Sequence, residues 1–139
     1  MKIDHDIVRP VVALVIGLLL AVYVYRLVTD PEPALRKARQ EAVVMASRDI
    51  LRSYVAPDAT IQIVDPVSPD RKVGKVYIYP SATGWEVSGH YRRDDGDRWH
   101  PFLLVMNAGE ELESLKVRDS NDRLIGMSLR DPKFSVIPP

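Results

Sequence analysis

Two of the three histidines and two clusters of carboxylates fall between His90 and Glu113. His90 and His100 flank the turn sequence Asp94-Asp95-Gly96-Asp97. A zinc site would need both imidazoles on one face and further ligands. Asp95-Gly96 is a strong two-residue hairpin signal. A hairpin centred there opposes Arg93 with Arg98, Arg92 with Trp99, and Tyr91 with His100. That register sends His90 and His100 to opposite faces. The expectation is one surface histidine and one hydrogen-bonded at the core margin. His5 is too far along the chain to be assigned a partner.

The other motifs read as structure. Asp94-Asp95-Gly96-Asp97 lacks the alternating ligands and terminal glutamate of a calcium loop. Glu110, Glu111 and Glu113 could be paired acid–base carboxylates. Between two strands they read more simply as a solvated turn. Val73-Gly74-Lys75 lacks the glycine-rich approach and following hydroxyl of a phosphate loop. No GxSxG, HExxH, SxxK or GxGxxG occurs. With no cysteine, thiolate metal sites, disulfides and cysteine nucleophiles are excluded. No cofactor, metal or enzymatic activity is expected. The remaining cluster is Arg92 and Trp99, with Leu103 and Val105 farther along the same face. Arginine and tryptophan are enriched at binding hot spots. The alternative is cross-strand stacking of Arg92 on Trp99, worth about 0.5–1 kcal/mol to the hairpin. Arg92, Trp99, Leu103 and Val105 are the expected partner surface.

Those residues have to be carried by a domain of about a hundred residues. The run from Val11 to Tyr25, VVALVIGLLLAVYVY, is entirely apolar. Extended to Val28 it reaches about 27 Å as a helix, enough to cross a bilayer's hydrocarbon core. Arg26 can snorkel at its end, Tyr23 and Tyr25 suit the interface, and Pro10 suits a first helical turn. A cleaved signal peptide would need small residues that Arg26-Leu27-Val28-Thr29-Asp30 does not supply. The division expected is a tail at 1–10, a transmembrane anchor at 11–28, a linker at 29–33 and one soluble domain at 34–139. Ala13, Gly17 and Ala21 are spaced by four, a strip of small residues along which another membrane helix could pack.

Sidedness is read two ways. Lys2 and Arg9 lie before the anchor; Arg26, Arg36, Lys37 and Arg39 lie after it. Counted literally, the charges put the domain in the cytoplasm, where it would be a regulator. Long domains translocate largely regardless of charge. One amino-terminal anchor bearing an exported domain is also the usual bacterial envelope arrangement, so the periplasmic side of the inner membrane is expected. Basic and acidic residues number 19 each, and that balance argues against nucleic acid as a partner.

Within the domain, Leu35, Ala38, Ala42, Met45, Ala46, Ile50 and Tyr54 recur at helical spacing, predicting a helix from Ala34 to Val55 that stops before Pro57. The period then changes to two. Strands are predicted at Thr60–Val64, Val73–Tyr79, Trp85–Arg93, Arg98–Asn107, Leu112–Arg118 and Leu124–Arg130, with an edge strand in the Phe134–Pro139 tail. The hairpin's core face carries Trp85, Val87, Gly89, Tyr91, His100, Phe102, Leu104 and Met106. The fold class is α+β: a long amphipathic helix packed on an antiparallel β-meander. This element order resembles the cystatin-like and NTF2-like rolls, and it carries no functional residues over.

The function expected is that of a non-enzymatic accessory or assembly subunit of a bacterial membrane protein complex. It would act through helix packing in the membrane and a soluble interaction domain, with an integral-membrane protein or itself as partner. The alternative is a membrane-tethered ligand-binding or enzymatic roll, with Tyr91 and His100 as the polar groups facing inward.

Overall fold

The computed structural model of the chain describes residues 5–139; Lys2, and the side chain of His5, lie outside what is described. The chain divides into two compact units, Met1–Lys37 and Ala38–Pro139.

In the first unit, helix α1 spans His5–Thr29. It takes in His5–Pro10, six of the ten residues of the expected tail, with Pro10 inside it. Pro10 is the sixth residue of the described helix, past the four unpaired N–H groups, so it removes the bond that an N–H there would have given to the Asp6 carbonyl. The helix is long and apolar enough to cross a membrane. Its large apolar side chains from Ile7 to Val28 are exposed. A Cβ added at Gly17 would meet nothing within 4 Å. The expected linker shrinks to Asp30 and Pro31. Asp30 accepts from the Glu32 N–H at 3.1 Å, and the Leu35 N–H donates to Pro31 at 2.9 Å, so helix α2 (Glu32–Val55) starts at once.

In the second unit, α2 buries Val43, Val44, Ser47, Leu51 and Val55, with Ile50 and Tyr54 at the margin. This corrects the expected face. Leu35 and Met45 are largely exposed, at 65% and 50%. Alanine, methionine and valine occur around most of the helix, so its own pattern is ambiguous. The sheet selects the side bearing adjacent valines.

The strands are β1 (Gln62–Val64), β2 (Tyr77–Pro80), β3 (Gly84–Arg92), β4 (His100–Asn107), β5 (Leu112–Arg118) and β6 (Phe134–Ile137). They form one sheet in the order β1-β3-β4-β5-β6, with β2 also paired to β3. All pairs are antiparallel except β5 with β6, which is parallel. The sheet is mixed, and the expected meander is corrected at its end. Leu124–Arg130 is not a strand: helix α3 spans Asp122–Ser128. Asn121 caps it, its Oδ1 accepting from the Arg123 N–H at 3.0 Å, with Asp122 in the first turn. A parallel pair needs a crossover, and α3 supplies it.

The central hairpin keeps the expected register, Tyr91 opposite His100. Its loop is longer than the expected two-residue turn. β3 stops at Arg92, β4 starts at His100, and Gly96 has no positive φ. Asp94 and Asp97 instead accept from the backbone N–H groups of Gly96 and Arg93 at 2.8 and 3.1 Å. On the inner face Val87, Tyr91, Leu104 and Met106 are fully buried against the α2 valines and Leu124. Val73–Val76 is not part of a strand, and β2 begins at Tyr77. The loop before it is held to α2 by Arg48, whose guanidinium donates to fully buried Asp65 through NH2 at 2.8 Å and through Nε. Asp65 Oδ1 also accepts from the Val67 and Ser68 N–H groups, at 3.0 and 2.9 Å.

Candidate functional site

Strand alternation places every second hairpin residue on the face turned away from α2. That outer face carries Glu86, Ser88, His90 and Arg92 from β3. It also carries Trp99, Pro101, Leu103 and Val105, and all eight are half-buried. The four expected surface residues therefore share one face, in unequal states. The Arg92 guanidinium lies 4.6 Å over the Trp99 ring. It donates to Gln62 Oε1 at 2.7 Å and Asp95 Oδ1 at 3.1 Å. These contacts make Arg92 and Trp99 a brace within the hairpin. Leu103 is different. It lies between Ser88 and Lys116 in one cross-strand row that begins at Tyr77. Val105 lies opposite Glu86 and Ser114.

Two clefts open along this face. One, of about 320 Å³, is lined by Tyr77, Ser88, Pro101, Leu103, Lys116, Arg118 and Ile137, among others. The other, of about 610 Å³, is lined by Pro69, Arg71, Gly74, Lys75, Val76 and Tyr77. Tyr77 belongs to both. The loop wall is seated on His90: a Cβ at Gly74 would fall 2.6 Å from the imidazole Cε1. Only glycine lets the backbone come this close. His90 Nδ1 is buried and has no hydrogen-bond partner. Burial alone disfavours the charged ring and lowers its pKa below the ordinary 6.5.

His100 is on the opposite, inner face, as the register required. It is 4% exposed, and its ring centroid lies 5.2 Å from that of Tyr91. Its Nδ1 is 3.1 Å from the Arg118 carbonyl and its Nε2 is 3.0 Å from Asp97 Oδ1. Beside it is a network that sequence reading missed. Asp119, 2% exposed, accepts from the Tyr91 hydroxyl at 2.6 Å and from Arg93 NH2 at 2.6 Å. Its other oxygen accepts from the Ser120 and Asn121 N–H groups, at 2.7 and 3.1 Å. Burial opposes ionisation of Asp119, yet the Arg93 and Tyr91 hydrogen bonds outweigh it and hold the carboxyl below its usual range. The Tyr91 hydroxyl is pushed far up, first by burial and then by Asp119. The partners lie 26 and 28 residues from Asp119, so no local spacing could reveal them.

This network ties the hairpin tip to the end of β5. Both carboxylate oxygens are occupied, and Tyr91 and His100 line neither outer-face cleft. A third cleft, of about 440 Å³, has Arg93, Asn121 and Arg123 in its wall. Arg93 is engaged by Asp119, and Arg123 donates to the Val55 carbonyl at the end of α2. Glu110, Glu111 and Glu113 lie at the β4–β5 connection. Glu110 adopts a φ of 62°, Glu111 accepts from Asn107 Nδ2 at 3.3 Å, and Glu113 accepts from Thr83 at 2.8 Å. Among the described residues no group of three or more histidine, aspartate or glutamate side chains is arranged to hold a metal ion. Compared with known proteins, the chain matches no family model, no curated protein and no solved structure.

Proposed function

We propose that this chain is a non-enzymatic accessory or assembly subunit of a bacterial membrane protein complex, anchored by α1 in the inner membrane with its domain on the periplasmic side. The observation that carries the reading is a pair of surfaces left open. Along α1 the apolar side chains are uncovered, and the strip Ala13, Gly17 and Ala21 has free space over Gly17. On the domain, the outer sheet face keeps Leu103 and Val105 half-exposed beside Tyr77 and Tyr79. Small residues let a second membrane helix approach closely, and half-exposed apolar side chains gain by being covered. The kinship with cystatin-like or NTF2-like rolls that we infer is one of element order, and the parallel β6 departs from it.

The test is gentle detergent extraction of the tagged protein from its native host, followed by mass spectrometry of what co-purifies. A stoichiometric membrane complex is expected. Gly17→Leu should weaken it at least about tenfold by filling the helix strip, while the domain's melting temperature stays unchanged. Recovery of the chain alone would overturn the reading, and a complex indifferent to Gly17→Leu would remove the strip from it.

A further inference from the structure

The outer-face clefts have a charge pattern that specifies the chemistry of an occupant. In a chain of zero net charge, the walls hold four cations, Arg71 and Lys75 at the β2 end and Lys116 and Arg118 at the β5 end. No carboxylate lines either cleft. Among the described residues none of the four cations is in an ion pair. Between them the floor is apolar, built from Tyr77, Pro101 and Leu103, with Ile137 at the rim. On this face the Glu86 carboxylate is engaged by the Tyr77 hydroxyl, from which it accepts at 3.3 Å.

We infer that this groove docks an extended, acidic segment of a partner protein, with carboxylates at two ends and an apolar side chain between them seated on Leu103. The inference rests on the outer face meeting a protein partner, and it adds the partner's chemistry. The row Tyr77–Ser88–Leu103–Lys116 crosses four strands in three steps. At about 4.8 Å per step the Lys116 backbone stands about 14 Å from Tyr77, which lines one cleft together with Arg71 and Lys75. An extended chain covers that distance in about four residues, which sets the spacing of the two carboxylates. Opposed charges at the rim steer and orient such a segment, while burial on the floor holds it. Nucleic acid fits poorly, because the chain carries no net positive charge to neutralise a phosphate backbone beyond these four cations. A lipid surface fits less well than a polypeptide, because the floor is recessed between walls.

The experiment uses the full chain in nanodiscs of zwitterionic lipid and three labelled, capped hexapeptides. One carries leucines between glutamates at its first and fifth positions; the others replace the glutamates with glutamine or lysine. Fluorescence anisotropy should show binding of the acidic peptide, weaker at higher salt, and loss of at least about tenfold for the glutamine analogue. The exposed pairs Lys116→Glu with Arg118→Glu, and Arg71→Glu with Lys75→Glu, should each lose at least about tenfold with the circular dichroism spectrum unchanged. Equal binding of the three peptides, or none, overturns the inference. So do Leu103 methyl shifts on adding anionic lipid to peptide-free nanodiscs, which would assign the face to lipid. A photo-crosslinker at Leu103 in the native host separates the two proposals. A crosslinked membrane protein without acidic-peptide binding refutes only the chemistry; no crosslink and no co-purifying protein refute both.

Discussion

Replacing Asp119 with alanine should loosen the domain by removing the one carboxylate that joins the hairpin tip to the end of β5. In the native chain that side chain accepts from the Tyr91 hydroxyl and from Arg93, each at 2.6 Å. Without it the Tyr91 hydroxyl, fully buried, has no acceptor, a loss of about 1–3 kcal/mol. Breaking a buried ion pair costs about 3–5 kcal/mol when one charge is left uncompensated. Arg93 is 28% exposed and retains Asp97 at 3.4 Å, which sets the charge penalty at or below the lower end of that range. The two losses share one carboxylate and do not add in full. The expected cost is about 3 kcal/mol, or a fall in melting temperature of about 12–24 °C for a domain this size. The assay is near-ultraviolet circular dichroism of Trp85 and Trp99 during thermal and urea unfolding of the full chain in detergent. Tyr91→Phe leaves the carboxylate its arginine and two backbone donors, so it should cost only about 1–2 kcal/mol. In that background Asp119→Ala should cost measurably less than it does alone. The folded-state pKa of Asp119 is depressed, so its contribution is present above the ordinary carboxylate value near 3.8 and lost as pH falls through the folded value. The variant should therefore show a shallower acid limb below about pH 4. A loss under about 1 kcal/mol, or an unchanged acid limb, would refute the latch.

Two further outcomes follow from the outer face and the hairpin. Burial of His90 favours the neutral ring, so that contribution to stability is complete above 6.5 and declines as pH falls below it. His90→Gln should flatten the stability profile between about pH 6.5 and 5, and an unaltered slope would show that the loop at Gly74 does not bury the ring. A Cβ at Gly84 would collide with the backbone of Met106 and Asn107, atoms that cannot move without breaking the β3–β4 ladder. Gly84→Ala should destabilise by about 1–3 kcal/mol in urea unfolding, whereas Gly126→Ala, where a Cβ has open space inside α3, should stabilise by about 0.4–1 kcal/mol.

What the amino-acid sequence determined by itself is whatever repeats locally. The apolar run dictates α1, and alternation of type dictates β3, β4 and β5. The two faces of the hairpin follow from period-two patterning, and the pairing of Tyr91 with His100 follows from a turn centred at Asp95 and Gly96 even though the loop is wider. Tertiary structure decided where local signals conflict or contacts are distant. The Leu124–Arg130 stretch suits a strand or a helix by composition, and the cap at Asn121 with the crossover to β6 settles it as a helix. α2 could have buried several of its sides, and the sheet took Val43, Val44 and Leu51. The Asp119 network joins side chains more than 25 residues apart. The groove likewise unites Arg71 and Lys75 from a loop with Lys116 and Arg118 from a strand. Neither has a period or motif to announce it, because both arise only when the sheet closes distances that the chain leaves open.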